Sequence, residues 1–209
     1  MSKVCDYYFA PHSPWSYLGH QRFIDIATKH KIKVAIKPCD LSRVFAASGG
    51  LSLAKRAPQR QAYRLIELQR WSDFLQVPMH VQPQFFPVTP DPAARLIIAA
   101  QIAHGNEVAL NLSTAIMRAM WSEQKNIADE ATLIGIACDA DLDGKQLVKS
   151  AETSAVQGDY DSNTNDAIAA NVFGAPWYVY KGEGFWGQDR LDFLERARPW
   201  RGAFVASCP

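Results

Sequence analysis

Val4-Cys5-Asp6-Tyr7-Tyr8-Phe9, then Ala10-Pro11-His12, then Ser13-Pro14-Trp15-Ser16-Tyr17-Leu18-Gly19: an apolar β-rich run, a sharp turn, and a hydroxyl in front of a proline. The run over residues 3–9 reads as a strand. Pro14 suits the first position of a helix and Ser13 its N-cap. Tyr17, Leu18, Phe23, Ile24, Ile26 and Ala27 continue at helical spacing, and Lys29-His30-Lys31 suit the negative C-terminal end. Residues 34–36 read as a second strand, closed by Pro38. The chain therefore opens as β-α-β, which predicts a parallel pair joined by a right-handed crossover.

Outward from that unit, Gly49-Gly50 breaks the chain. A helix is predicted over 59–75, carrying Tyr63, Ile66, Leu68, Trp71, Phe74 and Leu75 mostly on one broad face. Residues 77–91 hold four prolines with Phe85 and Phe86, and predict an ordered loop. Amphipathic segments follow over 92–104, 107–121 and 130–139, then helices over 143–150 and 154–171, the last interrupted in pattern by Asp161-Ser162-Asn163. The period then changes. Residues 177–180 are a strand, Lys181-Gly182-Glu183-Gly184 a hairpin turn, Phe185-Trp186 the return strand, and 191–198 a last helix. The expected architecture is α/β, with β-α-β and β-β-α halves separated by a helical insertion. Residues 1–45 and 170–198 form the first unit, 55–168 the insertion, and 199–209 a tail.

Composition narrows the function. Of 209 residues, 48% are hydrophobic and 21% charged, as in ordinary globular proteins. A net charge of +1 gives no electrostatic reason to expect nucleic acid or an anionic membrane as partner. No apolar run approaches the roughly 20 residues of a membrane span. Met1-Ser2-Lys3-Val4 enters strand pattern at once, so a secretion signal is not expected and a cytoplasmic location is the default. The cysteines Cys5, Cys39, Cys138 and Cys208 form no Cys-x-x-Cys pair and no zinc spacing. They are expected to be buried, reduced thiols, with no metal bound.

A helix N-terminus carries free N–H groups and about half a positive charge, and stabilises anions, thiolates included. Alone, Ser13 is a plain helix cap. Downstream, Phe173-Gly174-Ala175-Pro176-Trp177-Tyr178-Val179 puts a proline at the mouth of a strand. Together the two segments resemble a thioredoxin-type thiol site with Ser13 in place of the reactive cysteine and no cysteine at Ser16. Disulfide exchange is therefore disfavoured, and the sulfur is expected to come from a ligand. One pKa unit of thiol depression needs only ~1.4 kcal/mol. A charge-assisted hydrogen bond from Ser13, at about 1.5–3 kcal/mol, covers it. The resemblance implies a cis Ala175–Pro176 bond, with the Ala175 backbone free to pair with a peptide-like ligand.

The chain as a whole resembles the 2-hydroxychromene-2-carboxylate isomerase family, in the DsbA-like branch that also holds the kappa-class glutathione transferases. Ser13-Pro14-Trp15-Ser16-Tyr17-Leu18, Asp40-Leu41-Ser42-Arg43-Val44, Leu68-Gln69-Arg70-Trp71, Val172-Phe173-Gly174-Ala175-Pro176 and Phe185-Trp186-Gly187-Gln188-Asp189-Arg190-Leu191 carry the resemblance. It implies a thioredoxin-like fold, a homodimer and glutathione as cofactor. The sulfur would lie at Ser13 with Pro14 and Trp15 at the helix entry, the cysteinyl unit at Ala175-Pro176, and the γ-glutamyl end at Gln188 and Asp189. It also implies a small aromatic carboxylate substrate, with Arg43, Phe45, Phe85 and Phe86 as candidate contacts. The implied reaction opens a chromene hemiketal and isomerises it to a trans-benzylidenepyruvate through transient thiolate addition, glutathione being regenerated. The alternatives are a kappa-like transferase that releases conjugates and a non-catalytic thioredoxin-fold binding module.

Three positions depart from the family pattern. Phe45 stands where relatives carry a lysine, Gly50 where an asparagine is frequent, and His12 where an apolar residue precedes the serine. Arg43 or Lys55 are the candidate replacement cations, against the plainer expectation of solvated surface charge. His12 beside Ser13 hints at a hydrolase, but no Gly-x-Ser-x-Gly elbow accompanies it. Met117, Met120 and Trp121, at helical spacing, are expected in the core. The loop aromatics Phe85 and Phe86 are the better pocket candidates.

Overall fold

In the computed structural model, which describes residues 3–197, β1 (Val4–Phe9) is an inner strand of a four-stranded sheet. It pairs in parallel with β2 (Lys33–Pro38) and antiparallel with β3 (Trp177–Tyr180). β4 (Glu183–Trp186) pairs antiparallel with β3 and completes the order β2-β1-β3-β4. The expected β-α-β start and β-β-α end are both present, and the fold is thioredoxin-like with helices between the halves. The hairpin turn is tighter than expected. It is only Lys181-Gly182, both with positive φ (54° and 82°), the signature of a two-residue turn matched to strand twist. β4 therefore starts at Glu183.

α1 (Pro14–Lys29) packs on an aromatic layer. Tyr7 stacks on Phe9 and Tyr178, with centroids 4.6 and 5.3 Å away, and Phe23 tilts against Tyr7 and Tyr178 at 4.8 and 4.6 Å. His20 is buried in this layer. Its Nε2 faces the Leu110 carbonyl at 3.2 Å, an acceptor only, so Nε2 carries the proton and Nδ1 accepts from the Tyr7 hydroxyl at 3.0 Å. Burial, partly offset by the Leu110 carbonyl, pulls the His20 pKa down to about 4.

One helix was not expected. α2 (Leu41–Ser48) starts at Asp40, whose carboxylate accepts the Ser42 N–H at 2.7 Å, and ends at left-handed Gly49. Leu41 and Val44, three residues apart, form its buried face. The Phe45 ring lies against Gly50, where an added Cβ would come within 2.6 Å of Phe45 Cδ1. The two departures at Phe45 and Gly50 are thus one packing arrangement.

α3 (Pro58–Leu75), α4 (Asp91–His104), α5 (Asn106–Trp121), α6 (Glu130–Cys138), α7 (Gly144–Ala151) and α8 (Ser154–Ala169) follow. α8 runs unbroken through Asp161-Ser162-Asn163, where Arg43 and Lys37 pair with Asp161 and Asp166 at 2.7 and 2.8 Å. It stops at Ala169, short of the expected 171. α9 (Leu191–Arg196) ends before Arg198, which, with Cys208 and the tail over 199–209, lies outside the described residues. One apolar cluster joins Tyr7, Phe23 and Ile36 to Ile97, Leu112 and Met117 of the helical segment. Met117, Met120 and Trp121 are buried in it, as expected. Cys5 and Cys39 are buried and pushed up to about 12 by desolvation, but Cys138, at the end of α6, is exposed, contrary to the expectation of burial. Among the described residues no helix is long and apolar enough to cross a membrane.

Two stability predictions follow from these contacts. His20 is depressed in the folded state, so between its ordinary pKa of 6.5 and about 4 the unfolded chain binds more protons. Stability is therefore full above pH 6.5 and falls as the pH drops toward 4, by of order 3 kcal/mol for this residue. Urea midpoints across that window check it, and His20→Gln should flatten the dependence. Gly50→Asn alone should cost about 1–3 kcal/mol through the clash with Phe45, and the cost should shrink in Phe45→Lys/Gly50→Asn. An additive double-mutant cycle in chemical denaturation would reject the coupling.

Candidate functional site

The strand register gathers four segments at one end of the sheet. Phe9 lies opposite Pro38, Tyr8 opposite Trp177, and Trp177 opposite Trp186. The segments that leave or enter at these residues therefore converge: 10–13 before α1, Asp40 and α2, 173–176 before β3, and 187–190 after β4. Topology thus brings Ser13, Pro14 and Trp15 to the same end as Ala175, Pro176, Gln188 and Asp189. Phe45 comes with α2, which packs on a small second cluster containing Tyr8, Cys39, Val44, Val172 and Trp177.

Ser13 is buried, and its Oγ accepts the Ser16 N–H at 3.2 Å as the α1 N-cap. Its acceptor side is satisfied and its O–H proton is unspent. Among the described residues nothing accepts from the Trp15 N–H, one of the open donors of the first turn. No hydrogen bond joins His12 to Ser13, so the base-activated serine of a hydrolase is absent from the described contacts. His12 Nδ1 and Ser16 Oγ are both buried without a partner. Desolvation pulls the His12 pKa down to about 4, against the opposing fields of Asp91 and Asp40, so the ring is neutral at ordinary pH.

The Ala175–Pro176 bond is cis, as expected, and Phe86–Pro87 is a second cis bond. The Pro176 carbonyl accepts the Gly187 N–H at 2.9 Å. Ala175 is buried, and among the described residues neither its N–H nor its C=O has a hydrogen-bond partner. Gln188 is buried, and its Oε1 is taken by Arg22 Nη1 at 3.0 Å. That leaves its side chain a fixed strut beneath α1. Asp189 is exposed and pairs with Arg190. It does not cap α9, whose start has no side-chain cap.

The expected substrate contacts are dispersed. Arg43 is taken by Asp161 and Asn165 of α8, at 2.7 and 2.8 Å, and Lys55 is exposed in a 3-10 turn over Leu53–Lys55. Phe85 is exposed, while Phe86 packs on Trp121 with centroids 5.2 Å apart. Two cations that the sequence did not single out lie nearby instead. The guanidinium of Arg56 sits 5.9 Å from the Phe45 ring centroid, and that of Arg64, on α3, 5.1 Å from the Phe86 ring centroid. Their i, i+8 spacing with Arg60 between them was the visible signal. The Tyr17 hydroxyl, donating to the Pro78 carbonyl at 2.7 Å, ties α1 to the loop that follows α3.

The DSBA-like thioredoxin domain model matches residues 4–197. A 2-hydroxychromene-2-carboxylate isomerase of Sphingobium xenophagum is 30% identical over 196 residues, covering 93% of this chain and 97% of that one. A glutathione S-transferase kappa 2 of Caenorhabditis elegans is 24% identical over 215 residues, covering 96% and 94%. A solved 2-hydroxychromene-2-carboxylate isomerase structure superposes with a TM-score of 0.78 at 28% identity, covering 92% of this chain and 93% of the other. With a thioredoxin-type helix entry whose cysteine position is Ser13, and with this similarity along almost its whole length, the chain belongs to the DSBA-like thioredoxin domain family, in the group of 2-hydroxychromene-2-carboxylate isomerases and kappa-class glutathione transferases.

Proposed function

We propose that the protein is a glutathione-dependent isomerase of 2-hydroxychromene-2-carboxylate-type compounds. The observation that carries this is the convergence, at one end of the sheet, of a spare Ser13 O–H and an unpaired Ala175 backbone. A cysteinyl peptide matches both. Its sulfur takes the Ser13 and Trp15 donors, and its main chain takes the N–H and C=O of Ala175 in a short β-type pairing. Asp189 suits the α-amino group of the γ-glutamyl end. Gln188 contributes by position, since its side chain is held by Arg22.

When bound, glutathione supplies a thiolate able to add reversibly to a conjugated double bond. The protein's part is electrostatic. The Ser13 O–H and the open first turn of α1 favour the anion, against the cost of burial, without a general base. Serine at this position cannot form a mixed disulfide, and Ser16 offers no resolving thiol. The site is therefore suited to carbon chemistry and not to thiol exchange. The chromene substrate of the named relatives supports the isomerase over the conjugating reaction.

Ser13→Ala should raise the pKa of bound glutathione by about 1–2 units, the value of one charge-assisted hydrogen bond. Thiolate absorbance of the complex titrated against pH checks it, and an unchanged pKa rejects the role of Ser13. In turnover on 2-hydroxychromene-2-carboxylate, total glutathione should stay constant. Depletion would point to the conjugating transferase. Calorimetry that detects no binding at millimolar glutathione would leave only the binding-module reading.

A further inference from the structure

Arg64 is half-buried, and among the described residues no carboxylate or other acceptor takes its guanidinium. The contrast on the same helix is Arg70, paired with Glu67 at 2.7 Å, and nearby Arg43 is paired with Asp161. Burial and the field of Arg56 together pull the Arg64 pKa down to about 10. Arg56 is itself half-buried and lowered by burial and by Arg60, its Nε donated to the Leu51 carbonyl at 2.9 Å. Arg64 is thus a partly desolvated charge in the field of a second one, and among the described residues no carboxylate pairs with either. Like charges in such a setting are a standing cost that an anion between them removes.

A second observation ties this cationic edge to the sulfur site. His12 directly precedes Ser13, and Arg64 is among the charges that act on it. Its Nδ1 is buried and has no partner. A neutral imidazole in that state can donate to or accept from a ligand. The substrate of the proposed reaction is an anion approached by a second anion, the thiolate. Such an encounter needs a cation on the substrate side, where Arg43 is already spent on Asp161 and Asn165 and Lys55 is exposed.

We propose that Arg64, assisted by Arg56 and His12, is the receptor for the carboxylate of a planar, conjugated aromatic acid, and so determines substrate specificity. This rests on the glutathione site described above. The guanidinium fork binds a carboxylate in bidentate fashion, and its stacking on Phe86 holds the fork's plane. Phe45 does the same for Arg56. The lysine of relatives has become Phe45, and the positive charge has moved to α3.

The test is calorimetric titration of the wild type, Arg64→Gln and Arg64→Lys with three probes: cinnamate, cinnamyl alcohol and glutathione. Cinnamate is titrated with and without glutathione present. Arg64→Gln should weaken cinnamate about 10- to 100-fold, the loss of one charge-assisted pair, and leave cinnamyl alcohol and glutathione within about twofold. Arg64→Lys should recover part of the loss. Equal weakening of all three probes would mark Arg64 as structural and overturn the inference. So would weakening of glutathione alone, an unchanged cinnamate affinity, or a wild type that does not bind cinnamate. If glutathione fails to bind, the isomerase reading falls while the cinnamate comparison in its absence still decides the role of Arg64.

Discussion

The close seating of α1 on the end of the sheet is the constraint on which the site depends. It is possible because residue 19 is glycine. A Cβ there would lie 2.7 Å from the Cβ of Gln188 and 3.2 Å from the Tyr178 hydroxyl, contacts a folded chain does not sustain. The absent side chain lets α1 descend until Phe23 meets Tyr7 and Tyr178 and Arg22 reaches Gln188. That descent sets the height of Ser13 relative to Ala175. Gly174 plays the matching part on the other side, where the Trp186 indole covers its α-carbon and a Cβ would come within 2.7 Å of Nε1. Two missing side chains let the helix and the strand mouth pack closely at this end of the sheet.

In the proposed reaction, serine at this helix entry moves the reactive thiol from the protein to the ligand. A cysteine at the N-cap has its pKa lowered by the helix and becomes a redox group. A serine at the same place keeps the helix's preference for an anion and adds a hydrogen-bond donor, yet carries no redox chemistry. Among the described residues, the protein's own thiols are set apart from the proposed chemistry by placement. Cys5 and Cys39 are desolvated and held protonated, and Cys138 lies on α6, in the helical segment.

Most of the fold was legible because its signals are local. A capped helix after a strand, a hairpin between β3 and β4, and a proline at the mouth of β3 each speak through neighbouring residues. α2 was missed although Asp40 and Gly49 marked both its ends and Leu41, Val44 and Phe45 recur at helical spacing. The sulfur side of the proposed site rests on the same local signals as the fold, and the substrate side does not. Whether a charged side chain is free depends on partners distant in sequence. Arg43 looked available until Asp161 and Asn165, on α8, claimed it. Arg64 drew no notice in the sequence, and only burial without a counter-ion distinguishes it.

Buried polar groups without partners are uncommon in folded proteins and each calls for an explanation. Here they are unevenly placed. His12 Nδ1, Ser16 Oγ, Trp177 Nε1 and the Tyr178 hydroxyl all belong to α1, its entry, or β3, the elements that frame Ser13. Trp121 Nε1 and Arg95 Nε lie in the helical segment and have no such common origin. A fold selected for stability alone would gain by replacing His12 with an apolar residue. It would also gain by pairing Arg64 with a carboxylate, as Arg70 is paired with Glu67. That neither has happened places the cost where a ligand can repay it: in the proposed reaction, one set of unspent groups stands on the side of the sulfur and one uncompensated charge on the side of the substrate.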